Sequence, residues 1–94
     1  PAAGVYGGLA SVRGQVYQAA IHVGPALTFD AQAMPRVEVH LLDYAGDLYG
    51  QRLLVDFVMQ VRDIARFESA DRLVEQLHQD IAAIRIGLSP DSAS

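Results

Sequence analysis

Glu38 and His40 stand two residues apart in the apolar segment Val37-Glu38-Val39-His40-Leu41-Leu42. Side chains of an extended strand alternate between its faces, so this spacing puts a carboxylate and an imidazole side by side. Such a pair can exchange a proton or share a metal ion. The competing reading is a solvated strand face, because half-buried antiparallel strands ordinarily carry one. The other histidines, His22 and His78, form no zinc-ligand spacing with His40. They read as a histidine at a loop edge and a solvated helix histidine. Asp43 to Gly50 (Asp-Tyr-Ala-Gly-Asp-Leu-Tyr-Gly) mixes turn formers with aromatics, and a hairpin loop accounts for its Gly and Asp. Arg62 ends an apolar run and reads as a surface charge.

The elements that position these residues follow from periodicity. Val5–Ala10 is a short β-prone run, Ser11–Gly14 a hairpin turn, and Val16–Val23 a strand with Tyr17, Ala19, Ile21 and Val23 on one face. Ala26–Pro35 reads as a loop. Val37–Tyr44 is the next strand, with Val37, Val39 and Leu41 opposite Glu38, His40 and Leu42. From Arg52 to Arg62 strict alternation predicts that Leu53, Val55, Phe57, Met59 and Val61 share one face. The period then changes: Leu73, Leu77, Ile81, Ile84 and Leu88 recur at steps of three and four, the stripe of an amphipathic helix. Ser69 is placed to cap it, Asp71 and Arg85 suit the two ends of its dipole, and Gly87 is placed to end it. Residues 89–94 form a polar tail. Four antiparallel strands and one helix leave two sheet edges, an invitation to self-association.

Composition sets bounds on partners. The 94 residues suit one domain, with 51% hydrophobic and 19% charged residues, and no apolar run approaches the roughly 18 residues of a membrane helix. A net charge of −4 and seven scattered arginines make no basic patch, which argues against nucleic acid. There is no cysteine, lysine or asparagine, and Thr28 is the only threonine. Without lysine a Walker-type phosphate loop is excluded. With no signal-peptide pattern at the start, a cytoplasmic location is the expectation.

Several motifs occur together: Gly4-Val5-Tyr6-Gly7-Gly8, Ala20-Ile21-His22-Val23-Gly24, Thr28-Phe29, Val37-Glu38-Val39-His40-Leu41-Leu42-Asp43-Tyr44, Gly46-Asp47-Leu48-Tyr49-Gly50, Val61-Arg62 with Arg66-Phe67, and Asp80. In this order and spacing the chain resembles the riboflavin kinase module at the C-terminal end of bacterial bifunctional FAD synthetases. The resemblance runs from Gly4 to Arg85, and its most specific part is Glu-x-His-x-x-Asp joined to Gly-Asp-Leu-Tyr-Gly. It implies a mainly β fold, a six-stranded antiparallel Greek-key β-barrel, here incomplete, with one C-terminal α-helix. The domain would be residues 1–88. It implies transfer of the γ-phosphoryl of ATP to the 5′-hydroxyl of riboflavin, giving FMN, with Mg2+ as cofactor. By matching position Glu38 is the general base. Asp47, Leu48, Tyr49 and Gly50, with Arg62 and Phe67, match the flaps over flavin and nucleotide, and Arg62 is the residue to lie against the flavin ring.

The departures shape the expectation. In the family a glycine-rich stretch leading into Pro-Thr-Ala-Asn precedes the Gly-Val-Tyr strand, and its threonine and asparagine hold magnesium and phosphates. This chain starts three residues before Gly4. The phosphate and Mg2+ ligands, and a nucleotidyltransferase domain, are therefore expected upstream of Pro1. Leu27 stands in place of a proline, His22 in place of the commoner asparagine, and Ile64 in place of an acidic residue. The 94 residues alone are expected to be inactive. Loss of the opening strands should bare the main chain along Val5–Ala10 and its neighbours and uncover Tyr17, Ile21, Val39, Phe57 and Met59. The alternative is a non-catalytic flavin-binding or assembly module derived from the same barrel.

Overall fold

The computed structural model describes residues 2–24 and 36–89. The expected loop with Leu27, Thr28 and Phe29, and the tail beyond Ser89, lie outside the described residues. Strands β1 (Gly4–Val12), β2 (Gln15–Gly24), β3 (Arg36–Leu41) and β4 (Leu54–Arg62) precede helix α1 (Ala70–Gly87). No helix among the described residues is long and apolar enough to cross a membrane.

The β1–β2 turn is tighter than Ser11–Gly14. Arg13 and Gly14 both have positive φ, 51° and 78°. Two such residues give a turn whose twist matches that of the flanking strands, so pairing runs out to Val12 and Gln15. All pairings are antiparallel, in the order β3-β2-β1-β4. The fourth strand returns beside the first, which is Greek-key order. This relocates the expected bare edge. Val5–Ala10 lies in the centre of the sheet, bonded on both sides, and the edges are β3 and β4.

One face of the sheet carries the core. Ala10, Val12, Ala19, Ile21, Val23 and Leu41 are buried there, with Tyr17, Val39 and Val55 packed around them. Ile21 is fully buried and so is not uncovered as expected. Tyr44, Leu48 and Leu53, from the connection between β3 and β4, close over this face.

The alternation expected along β4 fails at two register shifts against β1, between Val5 and Tyr6 and between Gly7 and Gly8. A bulge leaves one residue unpaired and turns the next side chain to the other face. Phe57 stays on the core face, where its ring meets that of Tyr6 edge-on at 5.3 Å. Met59 points the opposite way, against Gly7 under the helix. The five apolar residues are therefore divided between two layers.

Helix α1 covers the second face. The Ser69 hydroxyl accepts the Arg72 amide at 3.2 Å, and Asp71 and Arg85 sit in the first and last turns. Ile84 is buried against Gly7, where a β-carbon would stand 2.9 Å from the Ile84 side chain. Gly87 does not end the helix by a left-handed turn, since the cap is Leu88 with φ −97°. Its lack of a side chain makes room for the Met59 sulfur.

Candidate functional site

The first half of α1 stands off from the sheet and leaves a cleft of about 540 Å³. Leu73, Leu77 and Ile81 form its helix wall, and Val5 and Ala20 part of its floor. Leu73 and Leu77, which line the cleft, remain 39% and 44% exposed. The polar lining is His22, Glu38, His40 and Asp80.

Strand register explains that set. His22 is paired directly with Glu38, and Ala20 with His40. Paired residues of an antiparallel ladder share a face, so all three polar groups point toward the helix. The Glu38 carboxylate accepts from Arg36 Nε at 3.0 Å, and both side chains are well exposed. It is a strand-mounted acceptor on the wall of a mostly apolar cleft that it shares with His22, His40 and Asp80.

Arg62 is not a free surface charge. Its Nε donates to both oxygens of Asp80, at 2.9 and 3.1 Å, and Nη2 donates to Oδ2 at 2.9 Å. Nη1 donates to the Asp63 carbonyl at 3.1 Å, and the guanidinium carbon lies 5.5 Å from the centre of the Phe67 ring. Arg62 and Phe67 thus form one cluster, joined to the cleft through Asp80. The Asp47–Gly50 turn is separate from the cleft lining. Asp47 Oδ1 accepts the Tyr49 amide at 2.8 Å, Gly50 takes a positive φ of 76°, and Tyr49 is almost fully exposed. Leu48 is turned inward onto the core.

Two partnerships escaped the sequence reading of the side chains. Asp80 is the one buried polar or charged residue among the described residues. Its position inside the Leu73–Leu77–Ile84 stripe is the signal that could have shown it. Asp43, at φ 60°, accepts Arg85 Nη1 at 2.8 Å and Nη2 at 3.1 Å. The hydrogen bonds and charge of Arg85 hold the Asp43 carboxyl below the usual carboxylate range, and Asp43 pushes Arg85 up. A strand end and a helix end 42 residues apart leave no local pattern for that pair.

Magnesium finds no donor set here: among the described residues no group of three His, Cys, Asp or Glu side chains can hold a metal ion. Asparagine is absent from the chain. Asp80 is consumed by Arg62 and Gln76.

A family model for flavokinase, or riboflavin kinase, matches residues 1–88. A bifunctional riboflavin kinase/FMN adenylyltransferase from Pseudomonas fluorescens is 36% identical over 92 residues, which is 98% of this chain and 30% of that protein. An RNA-binding riboflavin kinase from Bacillus subtilis is 30% identical over 81 residues, 86% of this chain and 35% of that one. The chain thus spans about a third of the length of these relatives. The expectation against nucleic acid is therefore left without support, since one relative with such a domain is named as RNA-binding. A solved structure described as a macrolide-efflux protein from Streptococcus pneumoniae superposes with a TM-score of 0.84 at 38% identity, over 90% of this chain and 28% of that one.

Proposed function

The chain belongs to the riboflavin kinase family, and from that premise we propose that it is the flavin-phosphorylating module of a bifunctional kinase and FAD synthetase. Residues 1–88 form the module, with 89–94 a polar tail, in a cytoplasmic protein whose nucleotidyltransferase domain precedes it. The observation that carries the reading is the Glu38 carboxylate on the wall of a mostly apolar cleft. Apolar walls suit a flat, poorly hydrated ring system, and the carboxylate suits the hydroxyl at the end of its polar chain.

Glu38 accepts the proton of the riboflavin 5′-hydroxyl as its oxygen attacks the γ-phosphorus of ATP. The bond from that phosphorus to the bridging oxygen breaks, and ADP departs with the electron pair. Phosphoryl transfer depends mostly on positioning and charge stabilisation, and a strand fixes a carboxylate more firmly than a loop does. Arg36 orients the Glu38 carboxylate between turnovers. Arg62 and Phe67 meet the flavin ring, and the turn of Asp47, Leu48, Tyr49 and Gly50, anchored to the core by Leu48, forms a flap over flavin and nucleotide. The family's Pro-Thr-Ala-Asn stretch is not among these 94 residues, and on this reading the 94 residues alone should make no FMN.

The test is FMN formation from riboflavin and Mg-ATP by the full-length protein. Turnover supports the kinase. Flavin binding, read by quenching of flavin fluorescence, without FMN would favour the non-catalytic module.

A further inference from the structure

Asp80 is 2% exposed, yet it is a carboxylate on the face that α1 turns to the sheet, where its other buried residue is the apolar Ile84. A buried ion pair is a poor way to hold a helix, because well-packed apolar residues of like volume often stabilise as much or more. The geometry is more specific than docking requires. Arg62 meets Asp80 in a fork, through Nε and Nη2, and Gln76 Nε2 braces Oδ1 at 2.9 Å. The third nitrogen, Nη1, is taken by the Asp63 carbonyl. All three guanidinium nitrogens are engaged, and the group is set over the Phe67 ring. What a fork holds best is orientation: it fixes the plane of the guanidinium as well as its place.

We propose that Asp80, braced by Gln76, is a positioning residue for flavin: it locks the guanidinium of Arg62 as a flat platform for the isoalloxazine ring. Seating of α1 is then a condition of flavin binding, because the clamp belongs to the helix and the platform to β4. The proposal rests on the reading of Arg62 as the residue against the flavin, and it adds that recognition is by stacking rather than by hydrogen bonds from Arg62.

The full-length protein tests this with riboflavin KM, riboflavin Kd from fluorescence quenching, ATP KM and melting temperature. Asp80→Asn keeps the shape but points an amide at the guanidinium. Riboflavin KM and Kd should rise about 10- to 100-fold, the usual effect of a displaced positioning group, with ATP KM almost unchanged. In an Arg62→Met background, adding Asp80→Leu should leave riboflavin Kd within about twofold, because Asp80 acts only through Arg62. A further loss of affinity there would overturn the proposal. If Asp80→Asn does not fold, Gln76→Leu removes the brace and keeps the ion pair. A raised riboflavin KM at an unchanged melting temperature supports the clamp, and an unchanged KM overturns it. Normal riboflavin affinity in Asp80→Asn, with weakened affinity in Arg62→Met, overturns the clamp and leaves Arg62 at the flavin. Normal affinity in Arg62→Met removes both.

Discussion

Glu38 and Asp80 show how differently two carboxylates are used within one cleft. Glu38 is exposed and has one arginine partner, so it keeps lone pairs open to a further donor. Asp80 is buried and its oxygens are shared among three nitrogens, so it has nothing left to accept. Glu38→Gln in the full-length protein should lower FMN turnover by about 10²–10⁴, the usual worth of a positioned general base, with less effect on flavin binding. Near-normal turnover would remove Glu38 from the mechanism. Asp43 is a third case. Its carboxyl is held low by Arg85, so more protons bind it in the unfolded than in the folded chain below the ordinary carboxylate pKa. The pair's stabilisation is present above that pKa and fades as pH falls through the lower folded value. Asp43→Asn should therefore flatten the acid limb of a plot of melting temperature against pH. Both groups face water, so salt should flatten it too. An acid limb of unchanged slope would show that the pair contributes nothing measurable.

At the scale of elements, the meeting of β1, β4 and α1 depends on Gly7 and Gly8. A β-carbon on Gly8 would collide with the Asp56 main-chain carbonyl and stand 3.0 Å from Ile21. Main chain in a paired strand cannot move aside as a long side chain can. Gly8→Ala should then cost about 1–3 kcal/mol, the range for overpacking a filled site. Chemical denaturation of the variant measures this, and wild-type stability would mean that β4 does not cross β1 so closely. The two shifts in β4 matter for the same reason. They send Phe57 to the core and Met59 to the helix, so one strand serves both layers. The strand ends at Arg62, where the Asp80 fork ties it to α1.

At the scale of the whole molecule, the edges carry the next expectation. β3 and β4 each lack a neighbour on one side among the described residues, and Val37 on one and Leu54 and Val58 on the other are more than half exposed. Water can satisfy the main chain there, but apolar side chains gain by being covered. Covering a few hundred Å² at roughly 25 cal/mol per Å² is worth several kcal/mol, a large part of a small domain's margin. The isolated 94-residue chain should therefore self-associate through these strands. Sedimentation and melting across a range of concentrations will read it. A monomer whose melting temperature ignores concentration would show that four strands and a helix suffice.

The strands, the helix and its Ser69 cap are local matters of period and capping chemistry, and the sequence by itself determined them. It also placed Glu38 and His40 on one strand face, and the family resemblance supplied the chemistry to expect there. The order of the strands was not legible, because which strand pairs with β1 depends on where the connection between β3 and β4 crosses. Neither were the bulges, since Val58 and Val61 look like ordinary members of an alternating run until β1 is laid beside them. The cleft and the Arg62–Asp80 fork exist only once α1 lies across the sheet. Residues 18 apart carry no pattern that announces a shared proton donor and acceptor. Periodicity reports which face a residue takes on its own element, and only tertiary packing decides what that face meets.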